Sequence, residues 1–161
     1  MPNAQNPTIR RAEERDLSRV GDLLLQVNEM HHTIRPDLFK TNSRKYSDAE
    51  LRAVFADPHA PVFVYEADGE VLGYAFCILQ THRNDNNLVD GKTLYLDDLC
   101  VDSAARGRGI GTALYRYVLD YAKKIGCHNV TLNVWEGNDA ALAFYRKCGM
   151  KVQKTCMETI L

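Results

Sequence analysis

The sharpest chemical signal in the chain is the run Arg106-Gly107-Arg108-Gly109-Ile110-Gly111-Thr112, set between an apolar strand pattern and a long helix pattern. Glycines let the backbone curl until successive amides converge. A helix amino terminus adds unpaired N–H groups and partial positive charge, so the run reads as a phosphate cradle. It is not the dinucleotide fingerprint, which needs G-x-G-x-x-G where this chain has G-x-G-x-G. Nor is it the nucleoside triphosphate loop, whose closing Gly-Lys-Ser/Thr is missing. Taken alone, the glycines would also serve a tight strand-to-helix turn that binds nothing.

The elements that must position this run follow from patterning. After a polar lead of seven residues, read as frayed, Ile9 to Arg11 forms a short strand. Asp16 is placed to cap a helix from Leu17 to Met30, in which Leu17, Val20, Leu24 and Val27 recur at helical spacing. Pro36 closes that segment. Ser47 and Glu50 form a capping box for a second helix through Ala56, which Pro58 stops. Pro61 to Glu66, the turn Asp68-Gly69 and Val71 to Thr81 make a hairpin. A polar loop, His82 to Asp90, leads to a strand over Thr93 to Val101. Beyond the glycines, Ile110, Leu114, Val118, Tyr121 and Ile125 trace an amphipathic helix that ends at Gly126. Val130 to Trp135 reads as a strand, Asn138 caps a helix to Lys147, and Lys151 to Ile160 is a last strand candidate. This order predicts an α/β (α+β) fold with a mixed, mainly antiparallel sheet flanked by helices.

Composition sets the frame. A chain of 161 residues suits a single domain over residues 1–161, and 45% apolar with 25% charged residues is a globular balance. Twenty basic against twenty-one acidic side chains give a formal net charge of -1, so no overall positive field draws nucleic acid or an anionic membrane. The opening MPNAQNPTIRRAEERD has no apolar run fit for a signal, and no stretch is long enough to span a membrane; a cytoplasmic protein is expected. Cys77, Cys100, Cys127, Cys148 and Cys156 show no zinc spacing and read as mostly buried thiols. His31-His32 looks like a metal pair, but adjacent helix positions do not face each other and nothing at i,i+4 completes a ligand set, so no metal is expected.

Three segments taken in order resemble the GCN5-related N-acetyltransferase (GNAT) superfamily: Tyr95-Leu96-Asp97-Asp98-Leu99-Cys100-Val101-Asp102, Arg106 to Gly111, and Asn133 to Asn138 continuing through Ala143-Phe144-Tyr145 to Cys148-Gly149-Met150. The family's cofactor signature maps onto Arg106, Gly109 and Gly111, and its later asparagine and tyrosine onto Asn138 and Tyr145. The resemblance covers residues 60 to 150 well and the first helices in outline. It implies that acetyl-coenzyme A is the donor and that the strand at 94 to 101 splays from the strand at 130 to 135. The pantetheine arm would lie in that slot on backbone groups of Leu99, Cys100 and Val101, one of which would polarise the thioester carbonyl. The diphosphate would rest on amides of Gly107 to Thr112, including Arg108 and Ile110, with Arg106 and Arg108 as charged donors.

Tyr145 lies seven residues after Asn138, about 10 Å along a helix and nearly two turns, so both point the same way. Tyr145 is expected to protonate or hydrogen-bond the departing thiolate, and Asn138 to cap its helix and reach the cofactor. A protonated amine cannot attack a thioester, so a group must take its proton. Asp97 is the first candidate base, matching the acidic position that polyamine acetyltransferases use near the acceptor, with His31 or His32 as alternatives. Strand alternation should turn Asp97 and Asp98 to opposite faces, with Asp97 sharing the face of Leu99 and Val101. Glu29, His32 and Asp98 are the expected acceptor-binding residues. Small or polyamine-like amines are the favoured acceptors, with protein amines or a non-catalytic coenzyme A-binding module as the alternatives. Only twelve residues follow Gly149, so a lone terminal strand would lie beside 130 to 135 or be exchanged with a second subunit in a homodimer.

Overall fold

The structure is a computed structural model and describes residues 6–161. Most of the seven-residue lead lies outside the described residues. Five strands form one sheet in sequence order: β1 (Thr8–Arg11), β2 (Val62–Ala67), β3 (Glu70–His82), β4 (Gly91–Val101) and β5 (Asn129–Thr131). The first three pairings are antiparallel and β4 pairs with β5 in parallel, so the sheet is mixed and mainly antiparallel, as the patterning predicts. Four helices flank it: α1 (Leu17–Ile34), α2 (Asp48–Ala56), α3 (Ile110–Lys124) and α4 (Asp139–Lys147).

Strand alternation divides the core into two layers. Val62, Val64, Val71, Tyr74 and Phe76 meet Val20, Leu23, Leu24 and Leu51 on the side of α1 and α2. Phe63, Leu72, Ala75 and Cys77 meet Ile110, Leu114 and Val118 on the side of α3. The β2–β3 turn has Asp68 and Gly69 both at positive φ, which suits a two-residue hairpin. Gly73 is required by space: a Cβ there would stand 2.8 Å from the Cys100 carbonyl and 3.1 Å from Leu114 Cδ1. That close approach lets α3 lie down on β3 and β4.

Several boundaries differ from the sequence reading. Helix α1 continues one turn further, to Ile34. Asp16 stands at its start but does not cap it; the buried carboxylate instead accepts from Arg10 at 2.7 and 3.0 Å and from the Glu13 amide at 2.8 Å. The guanidinium is a stronger partner than a first-turn amide. The strand expected over Val130 to Trp135 stops at Thr131. The tail expected as a terminal strand has no strand pairing, and Val152, Met157 and Ile160 are exposed. One ion pair ties it down, Arg35 Nη1 to Glu158 Oε1 at 2.5 Å.

Candidate acetyl-transfer site

Strand β4 is the axis of the site. Its pairing with β5 covers only Thr93–Tyr95 against Asn129–Thr131, so from Leu96 to Val101 its outer edge is open. The cause lies in the next residues of the departing chain. Asn133 Nδ2 donates to the Tyr95 phenol at 3.0 Å, and Trp135 is drawn toward α1, edge-on to Phe39 at 5.5 Å with the Arg35 guanidinium 5.7 Å from its ring. Alternate residues among Leu96 to Val101, the stretch that includes Leu99 and Cys100, therefore present N–H and C=O groups to a slot instead of a neighbour.

At the end of that slot the backbone turns into α3. Gly107 and Gly109 hold φ of 77° and 76°, and neither has anything near its missing Cβ, so conformation rather than space demands glycine. Gly109 occupies the N-cap position and provides no side-chain acceptor, leaving the amides of the first turn, Ile110, Gly111 and Thr112, without a side-chain cap. Arg106 and Arg108 are exposed beside it. Uncapped amides, a helix dipole, two arginines and a free strand edge in line are the donor set that a diphosphate carrying an extended amide arm requires, so acetyl-coenzyme A fits these residues. Upstream, Asp102 accepts from the Ala104 amide at 2.9 Å and pairs with Arg19, whose Nε donates to the Val71 carbonyl at 2.9 Å. This lock fixes where the strand ends and the glycine turn begins.

Helix α4 forms the opposite wall. Asn138 is its N-cap, its Oδ1 accepting from the Ala141 amide at 3.3 Å. Phe144 packs where Gly111 has no side chain, its Cζ 3.4 Å from the site of a Cβ. Tyr145 lies against Phe144 and Tyr115, with ring centroids 5.0 and 6.1 Å away. Burial raises the Tyr145 pKa well above its ordinary value, and the negative charge of Asp98 adds to the effect. The phenol thus keeps its proton at neutral pH, as a donor to a leaving thiolate must.

The two carboxylates are arranged differently from the expectation of opposite faces. In the β3–β4 register Phe76 faces Asp98 and Cys77 faces Leu96, which leaves Asp97 as the extra residue of a bulge. A bulge resets the alternation of everything after it. Leu94 and Leu96 pack on the α3 side; beyond the bulge Leu99 and Val101 take that side, whereas Cys100 joins Tyr74 and Phe76 below α1. Asp98 follows Cys100, and its Oδ2 accepts from the Tyr74 phenol at 2.6 Å. The Asp97 carboxylate reaches Lys45, between α1 and α2, with Nζ to Oδ2 at 2.5 Å. Both acids thus fall within the field of one ammonium.

Asp98 is half-buried between β3 and the α1–α2 side of the sheet. Burial raises its pKa to about 6, with Asp97 adding to the rise and Tyr74 and Lys45 opposing it. Cys100 is a buried thiol pushed up to about 12 by burial and by Asp98, so it is not a thiolate at neutral pH.

The other expected acceptor residues hold the segment between α1 and α2. Glu29 accepts from the Thr41 hydroxyl at 3.1 Å and from the Asn42 amide, and the Phe39 carbonyl accepts from His32 Nδ1 at 2.6 Å. These bonds fix the backbone from Phe39 to Asn42 against α1. The His31 ring lies tilted against Phe39, centroids 5.0 Å apart, its pKa lowered by burial and by Lys45. Tyr74, Lys45 and Trp135 are parts of the site that sequence reasoning missed. Only the bulged register links Tyr74 to Asp98, and no spacing signal marks Lys45 or Trp135. Among the described residues no group of side chains is placed to hold a metal ion.

The sequence model of the acetyltransferase (GNAT) family matches residues 27–150. An uncharacterized N-acetyltransferase of Methanocaldococcus jannaschii is 35% identical over 89 residues; these are 55% of this chain but 38% of that protein. A glucosamine 6-phosphate N-acetyltransferase of Trypanosoma brucei brucei is 28% identical over 149 residues, 92% of each chain. Among solved structures, a mutant of the BH1408 protein of Bacillus halodurans superposes with a TM-score of 0.91 at 32% identity, covering 96% of this chain and 99% of that one. An aminoglycoside N-acetyltransferase in complex with CoA shares the fold, with a TM-score of 0.72 at 17% identity over 100% of this chain and 98% of that one.

Proposed function

From the premise that this chain belongs to the GNAT family of acetyl-CoA-dependent acetyltransferases, we propose that it moves the acetyl group to the primary amine of a small molecule by direct attack on the thioester. One observation carries the reading: the open edge of β4 runs from two carboxylates at one end to the uncapped amides of α3 at the other. A strand edge and a helix start meet in many proteins, but here proton-accepting groups lie where the acyl end of a bound arm would fall. The relatives named as acting on an amino sugar phosphate or an aminoglycoside favour a small amine over a protein.

Acetyl-coenzyme A supplies an activated acyl group. The residues of this chain supply the rest. Amides of Leu99 to Val101 orient the arm and oppose the negative charge that grows on the carbonyl oxygen, and Gly107 to Thr112 hold the diphosphate. The surroundings of the two acids favour exchanging their expected roles. Asp97 is already committed to a cation, whereas Asp98 is ionised at neutral pH yet far more basic than an ordinary aspartate, so Asp98 takes the ammonium proton and Asp97 attracts the cation. Tyr145 donates to the departing sulfur. Trp135 and Phe39 form the apolar side of the acceptor cleft.

For its assembly we infer a homodimer in which the exposed tail is covered by a second copy. Among the described residues the outer edge of β5 carries no neighbouring strand, and Val152, Met157 and Ile160 are exposed. Sedimentation as a monomer across working concentrations would contradict this.

The test of the activity is thiol release from acetyl-coenzyme A across a panel of amines, with product mass as the control. Amine-dependent release with the mass of one acetyl group gained by the amine supports the reading and names the acceptor class. Release only with peptides would move the acceptor to protein amines. Binding of coenzyme A without release to any amine would leave a non-catalytic module.

A further inference from the structure

The acceptor end of the site already contains a primary amine. Lys45 Nζ lies 2.5 Å from Asp97 Oδ2 and 5.4 Å from the centroid of the Tyr46 ring, and its side chain is 51% exposed. Burial acts to lower its pKa, but Asp97, Tyr46 and Asp98 outweigh that and the net shift is upward, so it is an ammonium at rest. The same ammonium acts on Asp98 and Tyr95 from β4 and on His31 from α1, which together with Asp97 and Tyr46 are the titratable groups around it. Lys45 lies outside helix and strand, and its flexible four-carbon stem gives the half-exposed ammonium reach. Along a strand Asp97 is roughly 7 Å from Leu99, where the open edge would hold the thioester end of the arm.

A lysine of the chain thus occupies the place where a substrate amine would shed its proton. Arg35 and Trp135 already hold the end of α1 to the chain leaving β5, and Arg44 already anchors the start of α2 through Asp48 at 2.6 Å. Lys45 is the one basic group in this segment whose charge points at the two carboxylates.

We propose that Lys45 is a self-acetylation site, modified by the chain's own active centre when acetyl-coenzyme A is present and no acceptor amine competes. This rests on the acetyl-transfer reading above. In the step, Asp98 removes one proton from Lys45 Nζ and later returns it to solvent. The nitrogen pair forms the N–C bond to the acetyl carbon, the C–S bond breaks with its pair passing to sulfur, Tyr145 gives the sulfur its proton, and the second proton that the nitrogen sheds as it becomes an amide restores the Tyr145 phenol. The products are Nζ-acetyl-Lys45 and free coenzyme A. The acetylated side chain is neutral, so Asp97 loses its internal cation and is freed to attract that of a substrate.

The experiment incubates the whole chain with acetyl-coenzyme A without amine and follows acetyl mass on each lysine-bearing peptide. Lys123 and Lys124, exposed at the far end of α3, serve as controls for uncatalysed acetylation. Lys45 should be acetylated roughly tenfold or more faster than either, the advantage that positioning confers. Tyr145→Phe should remove the excess at Lys45 and leave the controls alone. A readout independent of turnover is trace labelling with an amine-reactive reagent: unacetylated coenzyme A should protect Lys45 and not Lys123. Equal acetylation of Lys45 and the controls, or labelling indifferent to coenzyme A, overturns the proposal. The amine panel separates the two failures. Turnover of an amine with no acetyl-Lys45 sinks the self-acetylation alone, whereas no thiol release with the cofactor bound sinks the transfer reading first.

Discussion

The two ends of the β4 slot are built from different materials. At the cofactor end the chemistry belongs to the backbone: amides of a strand edge and of a helix start, aimed by glycines at a φ near 77° that other residues rarely adopt. At the acceptor end it belongs to side chains brought from distant parts of the chain: Asp97 and Asp98 from β4, Tyr74 from β3, Lys45 from the α1–α2 segment, Trp135 from the exit of β5. A backbone site recognises what every member of a reaction class shares, whereas a side-chain site is free to vary with the acceptor. Substitution should therefore disturb the two ends in separable ways.

The largest effect is expected at the floor of the acceptor end. Asp98→Asn should lower kcat about 10²- to 10⁴-fold and leave acetyl-coenzyme A binding intact. It should also stabilise the fold. The Asp98 pKa is raised on folding, so the folded state binds the extra proton between the ordinary carboxylate range and about 6, and stability falls as pH rises through that window. Removing the charge should recover roughly 1 to 3 kcal/mol at neutral pH, seen as a higher Tm than the parent above pH 6 and no gain in acid. A variant that loses both activity and Tm would mean that Asp98 serves the fold instead.

The next largest belongs to the wall between the ends. Tyr145→Phe should cost roughly 10- to 100-fold in kcat, with KM values for both substrates and Tm near those of the parent. Turnover close to the parent's would reduce Tyr145 to a packing ring. At the cofactor end, Gly109→Val forces a β-branched residue into the left-handed region at a cost of about 1 to 2 kcal/mol and pulls the α3 amides out of line, so KM for acetyl-coenzyme A should rise about tenfold. The KM for the amine should be untouched. If both rise together, the two ends are not separable.

Subtler changes sharpen the acceptor end. The Tyr74 phenol stabilises the Asp98 carboxylate, so Tyr74→Phe should push the acid limb of kcat/KM upward from about 6 by roughly one pH unit or less. A limb that stays in place would assign it to another group, with His31 the next candidate. Smallest of all, Trp135→Ala should raise the amine KM a few-fold through the loss of a face worth about 0.5 to 1 kcal/mol to a cation. Acetyl-coenzyme A saturation should not change.

The cofactor end was legible in the sequence because its determinants are contiguous. Gly107, Gly109 and Gly111 stand within five residues at the start of an amphipathic helix, and local backbone rules suffice to place amides there. The capping box at Ser47, the Asp68-Gly69 hairpin and the Asn138 cap were readable for the same reason. Reading failed where an element is decided by what lies beside it. The strand expected to run to Trp135 ends at Thr131 because Arg35 and Phe39 hold the indole elsewhere, and the tail expected as a strand pairs with no strand among the described residues.

The carboxylates mark the boundary between these two kinds of knowledge. The sequence by itself determined that two acids stand together just before a glycine turn, and that one glycine-fed helix start awaits an anion. A single unpaired residue at the β3–β4 pairing decided the rest: it carried Asp98 across the sheet to Tyr74 and left Asp97 facing Lys45. Strand alternation is a local rule with a period of two, but a bulge is a property of the register between two strands, set by how both pack against helices on either side. Which acid could become a base was therefore settled by tertiary structure.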